Sequence, residues 1–320
     1  VEVSPLFSNT YLRALYEGRA RGWESVKGFI RRFKKLSQAR DFDILIIEKE
    51  LFPFLPATFE RLLARLGIPY LVDFDDAIFH RYDSHRLPLI RSILGRKIDV
   101  VMRNAAVVVA GNQYLADRAR KAGAQRVEIV PTVVDETRYQ PTRTTASEIP
   151  IIGWIGTPKT SHYLRDLLPV LVRLAQSHAL RVVAVGASLS DFKGTPVEVW
   201  PWSEEKEVSF IQQFDIGIMP LDDSPWERGK CGYKLIQYMS CGLPVVASPV
   251  GVNREIVIDG ENGFLAETID DWYSKLRTLL EMSAEARSKL GKSGREEVET
   301  WYSLRIQEPR LSKLVSEVAN

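Results

Sequence analysis

Runs of four to six apolar residues recur along the chain, separated by stretches in which apolar positions return every three or four residues. That pattern predicts strands alternating with helices, and so a parallel α/β architecture. Strands are expected at Asp43–Glu48, Pro69–Asp73, Ala106–Ala110 and Val127–Val130, with helices near 11–38, 54–66, 85–104 and 112–122. From Asp135 to Pro150 the periodicity fails and Pro141, several threonines, Ser147 and Pro150 gather, which marks an interdomain linker. A second series of strands follows at 151–155, 181–185, 196–199, 215–219 and 244–247, and 270–320 is helical in pattern with a kink expected at Trp301–Ser303. The expected division is a first domain over 1–145, a second over 146–300 and a closing helix over 301–320.

Within the second series, Arg228–Gly251 reads as a glycine-bearing loop, a short helix, a buried strand and a second glycine loop. At about 100° per residue, Lys230, Lys234 and Gln237 fall on one stripe of that helix and Leu235, Ile236 and Met239 on the opposite face. Gly229 and Gly232 let the backbone come close to a ligand, and the free N–H groups at a helix start favour an anion. The same lysines also read as the solvated outside of an amphipathic helix.

A chain of 320 residues with 45% hydrophobic and 26% charged residues fits two soluble α/β domains of ordinary size. No apolar run approaches the roughly eighteen residues of a membrane span, and the start carries no signal-peptide pattern. The two cysteines, Cys231 and Cys241, would lie about 15 Å apart on one helix, too far for a disulfide, so a reducing, cytoplasmic setting is expected. Four scattered histidines without zinc-site spacing leave no metal centre expected.

The net charge of +2 conceals a basic stretch: residues 11–40 hold nine Lys or Arg against Glu17 and Glu24, interleaved with Trp23, Phe29, Phe33 and aliphatic residues. Such a segment can lie on an anionic membrane surface, on the inner face of the membrane here, where each cation contributes about 1 kcal/mol. It reads equally as a helix covering the sheet with its basic face in water. No nucleic-acid-binding motif accompanies the charge.

Several runs together carry a family likeness. Met239-Ser-Cys-Gly-Leu-Pro-Val-Val-Ala247, Gly251-Val-Asn-Arg-Glu-Ile-Val257, Asp259-Gly-Glu-Asn-Gly-Phe264, Gly153-Trp-Ile-Gly-Thr-Pro158 and Asp215-Ile-Gly-Ile-Met-Pro-Leu221 extend the Arg228–Gly251 pattern. Over about residues 67–310 the chain resembles glycosyltransferases of the GT-B fold, family 4, also called glycosyl transferases group 1. The resemblance implies two Rossmann-like domains facing a cleft, with the last helix crossing back to the first. It implies a retaining glycosyltransferase that moves a sugar from a nucleoside diphosphate sugar to a hydroxyl of a glycan or lipid-linked acceptor, as in polysaccharide biosynthesis, with no cofactor or metal.

Residue by residue, the resemblance implies that Lys234, then Lys230 and Arg228, meet the donor diphosphate, with Gly156 and Thr157 approaching from the other side and Lys159 as a further cation. Here the family more often has an arginine after the glycine. The family's two glutamates, eight residues apart, hold the donor sugar and the ribose; Gly229 and Gln237 stand at those positions, with Cys231 and Gly232 between them. Glu227, Asp222 and Asp223 are nearby acids that can substitute, and each reads equally as an ordinary exposed loop acid. Trp202, with Trp200, falls where the family places the nucleobase, and Trp202 reads equally as a core or rim tryptophan. In the first domain Asp73, Asp75, Asp76 and His80 close a strand facing the cleft and are the catalytic or acceptor-binding candidates, with helix capping the other role open to Asp75 or Asp76.

Family members open with a strand, a glycine-rich loop and a helix before the region that Val1–Phe7 resembles, and this sequence starts after that unit, through loss, removal or redesign. With the two missing glutamates, that keeps a second reading open: a non-catalytic nucleotide-sugar or glycan-binding protein. A sugar-nucleotide epimerase on the same fold is the third.

Overall fold

The computed structural model describes residues 1–8, 11, 22–141 and 149–319. Two parallel sheets organise them. The first contains β1 (Leu45–Glu48), β2 (Tyr70–Phe74), β3 (Val107–Ala110) and β4 (Val127–Ile129) in that spatial order. The second contains β5 (Ile151–Ile155), β6 (Arg181–Val185), β7 (Val197–Trp200), β8 (Ile216–Met219), β9 (Val245–Ala247) and β10 (Gly263–Leu265), ordered β10-β9-β8-β5-β6-β7. Central strands such as β3 and β5 are buried along their whole length. Helices cover both faces, which is why these strands read as unbroken apolar runs rather than alternating ones.

Three expectations shift in detail. The helix expected over 85–104 is two, Pro88–Leu94 and Lys97–Asn104, separated at Gly95 and Arg96. The three-residue strand β10 had no counterpart in the sequence pattern, being too short to show a period. The helix expected over 11–38 is described from Gly22 to Leu36; Arg13, Arg19 and Arg21 lie outside the described residues, as do 142–148 of the expected linker and with them the boundary at 145–146. Val1–Leu6 runs along the basic helix: Arg31 donates to the carbonyls of Pro5 and Leu6, Arg32 donates to those of Ser4 and Leu51, and Lys35 pairs with Glu2.

At the other end the helical run Ala284–Glu297 passes through a wider turn at Val298–Tyr302 into the helix Leu304–Ala319. That last helix packs on the first sheet, where Leu314 meets Leu71, Val107 and Val109, and Glu317 pairs with Arg126 at 2.7 Å. The crossing is fixed where it leaves the second domain, because the Val134 N–H donates to the Tyr302 carbonyl, the Leu304 N–H donates to the Val134 carbonyl, and the buried Arg295 donates to the carbonyls of Glu136, Tyr139 and Ser240.

Candidate active site

The order of the second sheet locates its crevice. From β5 the chain crosses to β6 on one side, while β8 lies on the other, so the loops leaving the carboxyl ends of β5 and β8 diverge and open a gap. Gly156 floors the gap after β5. Its N–H donates to Val185, and a Cβ there would sit 2.2 Å from the Trp154 ring. Gly186, at φ +75°, lies against the Gly156 carbonyl from the next loop. Thr157 and Thr160 cap each other across the short turn Pro158–Thr160, leaving Lys159 exposed.

The loop after β8 crosses to the first domain. Arg228 is held in two bonds by Asp223, so its charge is already matched. Glu227 is buried and accepts from the hydroxyls of Tyr163 and Ser224. Asp222 is exposed. Gly229 is pressed on Ala77 so closely that a Cβ would lie 2.4 Å from Ala77 Cβ. Cys231 is buried in the first-domain core, with its Sγ against Gly111 and the Asp75 carbonyl. Asn112 donates to the carbonyls of Gly229 and Lys230 at 3.1 and 3.0 Å. Burial pushes both the Cys231 and Cys241 thiols up to about 12, which leaves them inert.

The helix begins only at Tyr233, after Gly232 in the left-handed region (φ +68°), and runs to Ser240. Lys230 therefore precedes the helix instead of sharing its stripe, and Cys231 and Cys241 are not on one helix. The two side chains nonetheless converge closely enough for Lys230 to act on the charge of Lys234. Lys234 is half-buried, with its Nζ 4.5 Å from the centre of the Trp154 ring and no carboxylate paired with it among the described residues. Desolvation, and then the neighbouring Lys230, pull its ammonium down to about 7. A cation held on a ring face without a counter-ion among the described residues can receive an anion.

Gln237 is buried, where the sequence stripe placed it toward the ligand. Its amide donates to Tyr139 Oη and to Glu207 Oε1, both at 2.9 Å. Glu207 also accepts from Tyr139 Oη and, through Oε2, from Trp202 Nε1 at 2.6 Å. Trp202 is 50% exposed and stands beside Gly186, while Trp200 is half-buried against Phe210.

Across the gap, the carboxyl end of β2 presents Asp73, Asp75 and Asp76. Lys49, which follows β1 with φ +65°, reaches Asp75 at 2.7 Å and Asp76 at 3.9 Å, and Lys230 reaches Asp76 from the other domain at 4.0 Å. Burial, then Asp75 and Glu48, raise the Asp73 carboxyl to about 6; burial also raises Asp76, with Lys230 opposing it. Both nitrogens of His80 are bonded, to Asp83 and to Tyr114 Oη, each at 2.8 Å, so its ring ties the helix His80–Asp83 to its neighbours. Among the described residues no group of three or more His, Cys, Asp or Glu is arranged to hold a metal.

The sequence singled out neither Lys49, Asn112, Tyr139, Tyr163 nor Glu207. The unusual positive φ of Lys49 is a backbone property with no sequence signal, and the others sit far in sequence from the motifs they touch.

Residues 149–282 match the family described as Glycosyl transferases group 1. Over 160 residues the chain is 39% identical to sulfoquinovosyl transferase SQD2 of Arabidopsis thaliana, an alignment that covers 47% of this chain and 29% of that protein. The chain thus spans under a third of the length of this curated relative. By structure it is similar to sucrose-phosphate synthase from Thermosynechococcus elongatus, with a TM-score of 0.72 at 14% identity over 96% of this chain and 79% of that one. Anabaena HepE, solved in complex with UDP-glucose, gives 0.68 at 16% identity over 90% and 82%. These likenesses show the two-domain GT-B fold.

Proposed function

We propose, from the premise that the second domain belongs to the glycosyl transferases group 1 family and the whole chain has the GT-B fold, that this protein is a retaining family 4 glycosyltransferase. On this reading it takes a nucleoside diphosphate sugar as donor and a hydroxyl of a glycan or lipid-linked molecule as acceptor. The observation that carries the reading is the desolvated, unpaired ammonium of Lys234, with Lys230 beside it, facing a cluster of acids on the other domain. As the bond from the sugar anomeric carbon to the diphosphate breaks, charge gathers on the leaving oxygens. Lys234, Lys230 and the amides at the start of the helix Tyr233–Ser240 receive that charge, and a well-placed group of this kind lowers a barrier by about 3–4 kcal/mol.

The new bond forms from the acceptor oxygen to the same carbon, and its proton passes to a carboxylate. Asp73, raised to about 6, suits that role near neutral pH, with Asp75 and Asp76 holding the acceptor. His80, engaged at both nitrogens, positions rather than accepts. Arg228 is committed to Asp223, so the two lysines carry more of the diphosphate charge than the family pattern assigns them. No metal enters this reading. The likeness to HepE solved with UDP-glucose supports a uridine donor among those to be tried first. No helix among the described residues is long and apolar enough to cross a membrane, and a lipid-linked acceptor would be met from the surface.

Thermal unfolding in UDP-, GDP- and ADP-sugars tests the reading. A donor at about 100 times its dissociation constant stabilises by about 2.7 kcal/mol. Stabilisation by one nucleotide class that is lost in Lys234→Met supports it; no response to any nucleoside diphosphate or its sugars refutes it. A nucleotide that binds without sugar transfer to any acceptor would favour the non-catalytic alternative.

A further inference from the structure

At position 237 the family places a glutamate for the nucleotide ribose, and here a glutamine stands there with both amide hydrogens donated inward. The residue it faces is Glu207, on the first turn of the helix Glu207–Ile211 that follows β7. Glu207 is half-buried, yet none of its partners among the described residues is a cation: Gln237, Tyr139 and Trp202 are all neutral donors. An ionised carboxylate offers about four acceptor positions, of which three are taken. The remaining one belongs to Oε2, the oxygen on the exposed side that also holds the indole of Trp202. Trp202 in turn is half exposed and has its Cβ beside Gly186, the glycine that lies against the Gly156 carbonyl. An aromatic face for a base, a carboxylate next to it and a glycine floor leading to two lysines follow the order of base, ribose and diphosphate in a nucleotide.

We propose that Glu207 is the residue that grips the ribose hydroxyls, the carboxylate having been exchanged between positions 237 and 207. This rests on the nucleotide-sugar reading above. It also accounts for the glutamine: a glutamate at 237 would put two carboxylates within hydrogen-bond distance in a half-buried place, where like charges repel. Gln237 is then the positioning residue, holding Glu207 Oε1 while Oε2 meets the sugar. The hydroxyl contact is charge-assisted and stronger than a glutamine at 237 would supply.

The test compares UDP, GDP and ADP with their 2′,3′-dideoxy counterparts by calorimetric titration, with thermal unfolding as the control for folding. The wild type should prefer the natural nucleotide by about tenfold or more, as expected for a charge-assisted bond. Glu207→Gln should shrink that preference to about threefold or less while leaving the dideoxy affinity nearly unchanged. Gln237→Glu alone should weaken binding and lower the melting temperature, and the double change E207Q with Q237E, which moves the carboxylate across, should restore both. If Glu207→Gln keeps the full preference, or loses affinity equally for both nucleotides, Glu207 is only a brace between Trp202 and Tyr139 and the proposal is overturned. If the wild type binds none of the six nucleotides, the donor reading itself falls, and a preference that survives in Glu207→Gln but vanishes in Gln237→Ala would return the ribose to Gln237.

Discussion

Replacing Lys234 by methionine should make the ligand-free protein more stable and at the same time remove its hold on a nucleoside diphosphate. In the folded protein the ammonium titrates at about 7, against about 10.4 in an unfolded chain. Between those values the unfolded chain binds a proton that the folded protein does not, so stability rises with pH from about 7 to about 10 and the penalty is complete below 7. A gap of about three units corresponds to about 4 kcal/mol, and partial access to water reduces it, so about 1–3 kcal/mol is expected. For a domain of this size that is a rise of several degrees in melting temperature at pH 6, at about 2–4 °C per kcal/mol, shrinking as the pH approaches 10. The methionine keeps the apolar contact with Trp154 and lacks only the charge. Binding should move the other way: affinity for UDP falls by one to two orders of magnitude at pH 6, and turnover by two to three. In the wild type, affinity should decline about tenfold for each pH unit above about 7, because the ligand must then re-protonate the lysine; the variant should lack that slope. Melting curves at pH 6 and 9 with titrations at the same values decide it. A variant that is less stable at pH 6, or that keeps the slope, would refute the assignment of an unpaired cation at this place.

Asn112→Ala should lower stability by about 2–4 kcal/mol and speed proteolysis of the loop 222–232, since it removes two buried bonds to Gly229 and Lys230 and the cap on Leu115 N. Gly229→Ala should cost about 1–3 kcal/mol by overpacking on Ala77 and reduce turnover more than nucleotide affinity, read by comparing kcat with the UDP dissociation constant. The helix Gly22–Leu36 exposes Trp23, Val26, Ile30 and Phe33 in one stripe, whereas Arg31 and Arg32 are committed to backbone carbonyls. If it meets an anionic membrane, Trp23→Ser with Phe33→Ser should abolish sedimentation with phosphatidylserine vesicles at low salt, and added salt should release the wild type; no sedimentation of the wild type would leave this helix a solvated face.

The alternation of apolar runs was enough to read both sheets, because strands covered on two faces must be continuously apolar wherever they occur. Strand β10 escaped because three residues cannot display a period. Within the site, the sequence could mark Lys234 by its spacing from the glycines but not its lack of a partner, which depends on Trp154 lying beneath it from another strand. It assumed that the helix reached back to Lys230; Gly232 at φ +68° starts it three residues later. Tyr139 and Glu207 were illegible for a different reason. They are 98 and 30 residues from Gln237, and their meaning arises only when the linker and the helix after β7 close on it.

The anchoring of the loop 228–232 in the first domain has a consequence for the proposed reaction. Cys231 is buried in the first-domain core and Asn112 holds the carbonyls on either side of Lys230, so this part of the donor loop is fixed relative to the acids at the end of β2 and not merely relative to its own sheet. Lys230 is therefore shared: without donor it partly compensates Asp76 at 4.0 Å, and it stands close enough to Lys234 to lower that ammonium. An arriving diphosphate brings negative charge to both lysines. That charge restores Lys234 to its cationic form and cancels much of the attraction that Lys230 exerts on Asp76, so Asp76 holds a proton more readily once the donor is seated. On the proposed reaction Asp76 thus becomes the stronger hydrogen-bond acceptor for the incoming hydroxyl, beside Asp73 as its base, only in the complex that holds the leaving group.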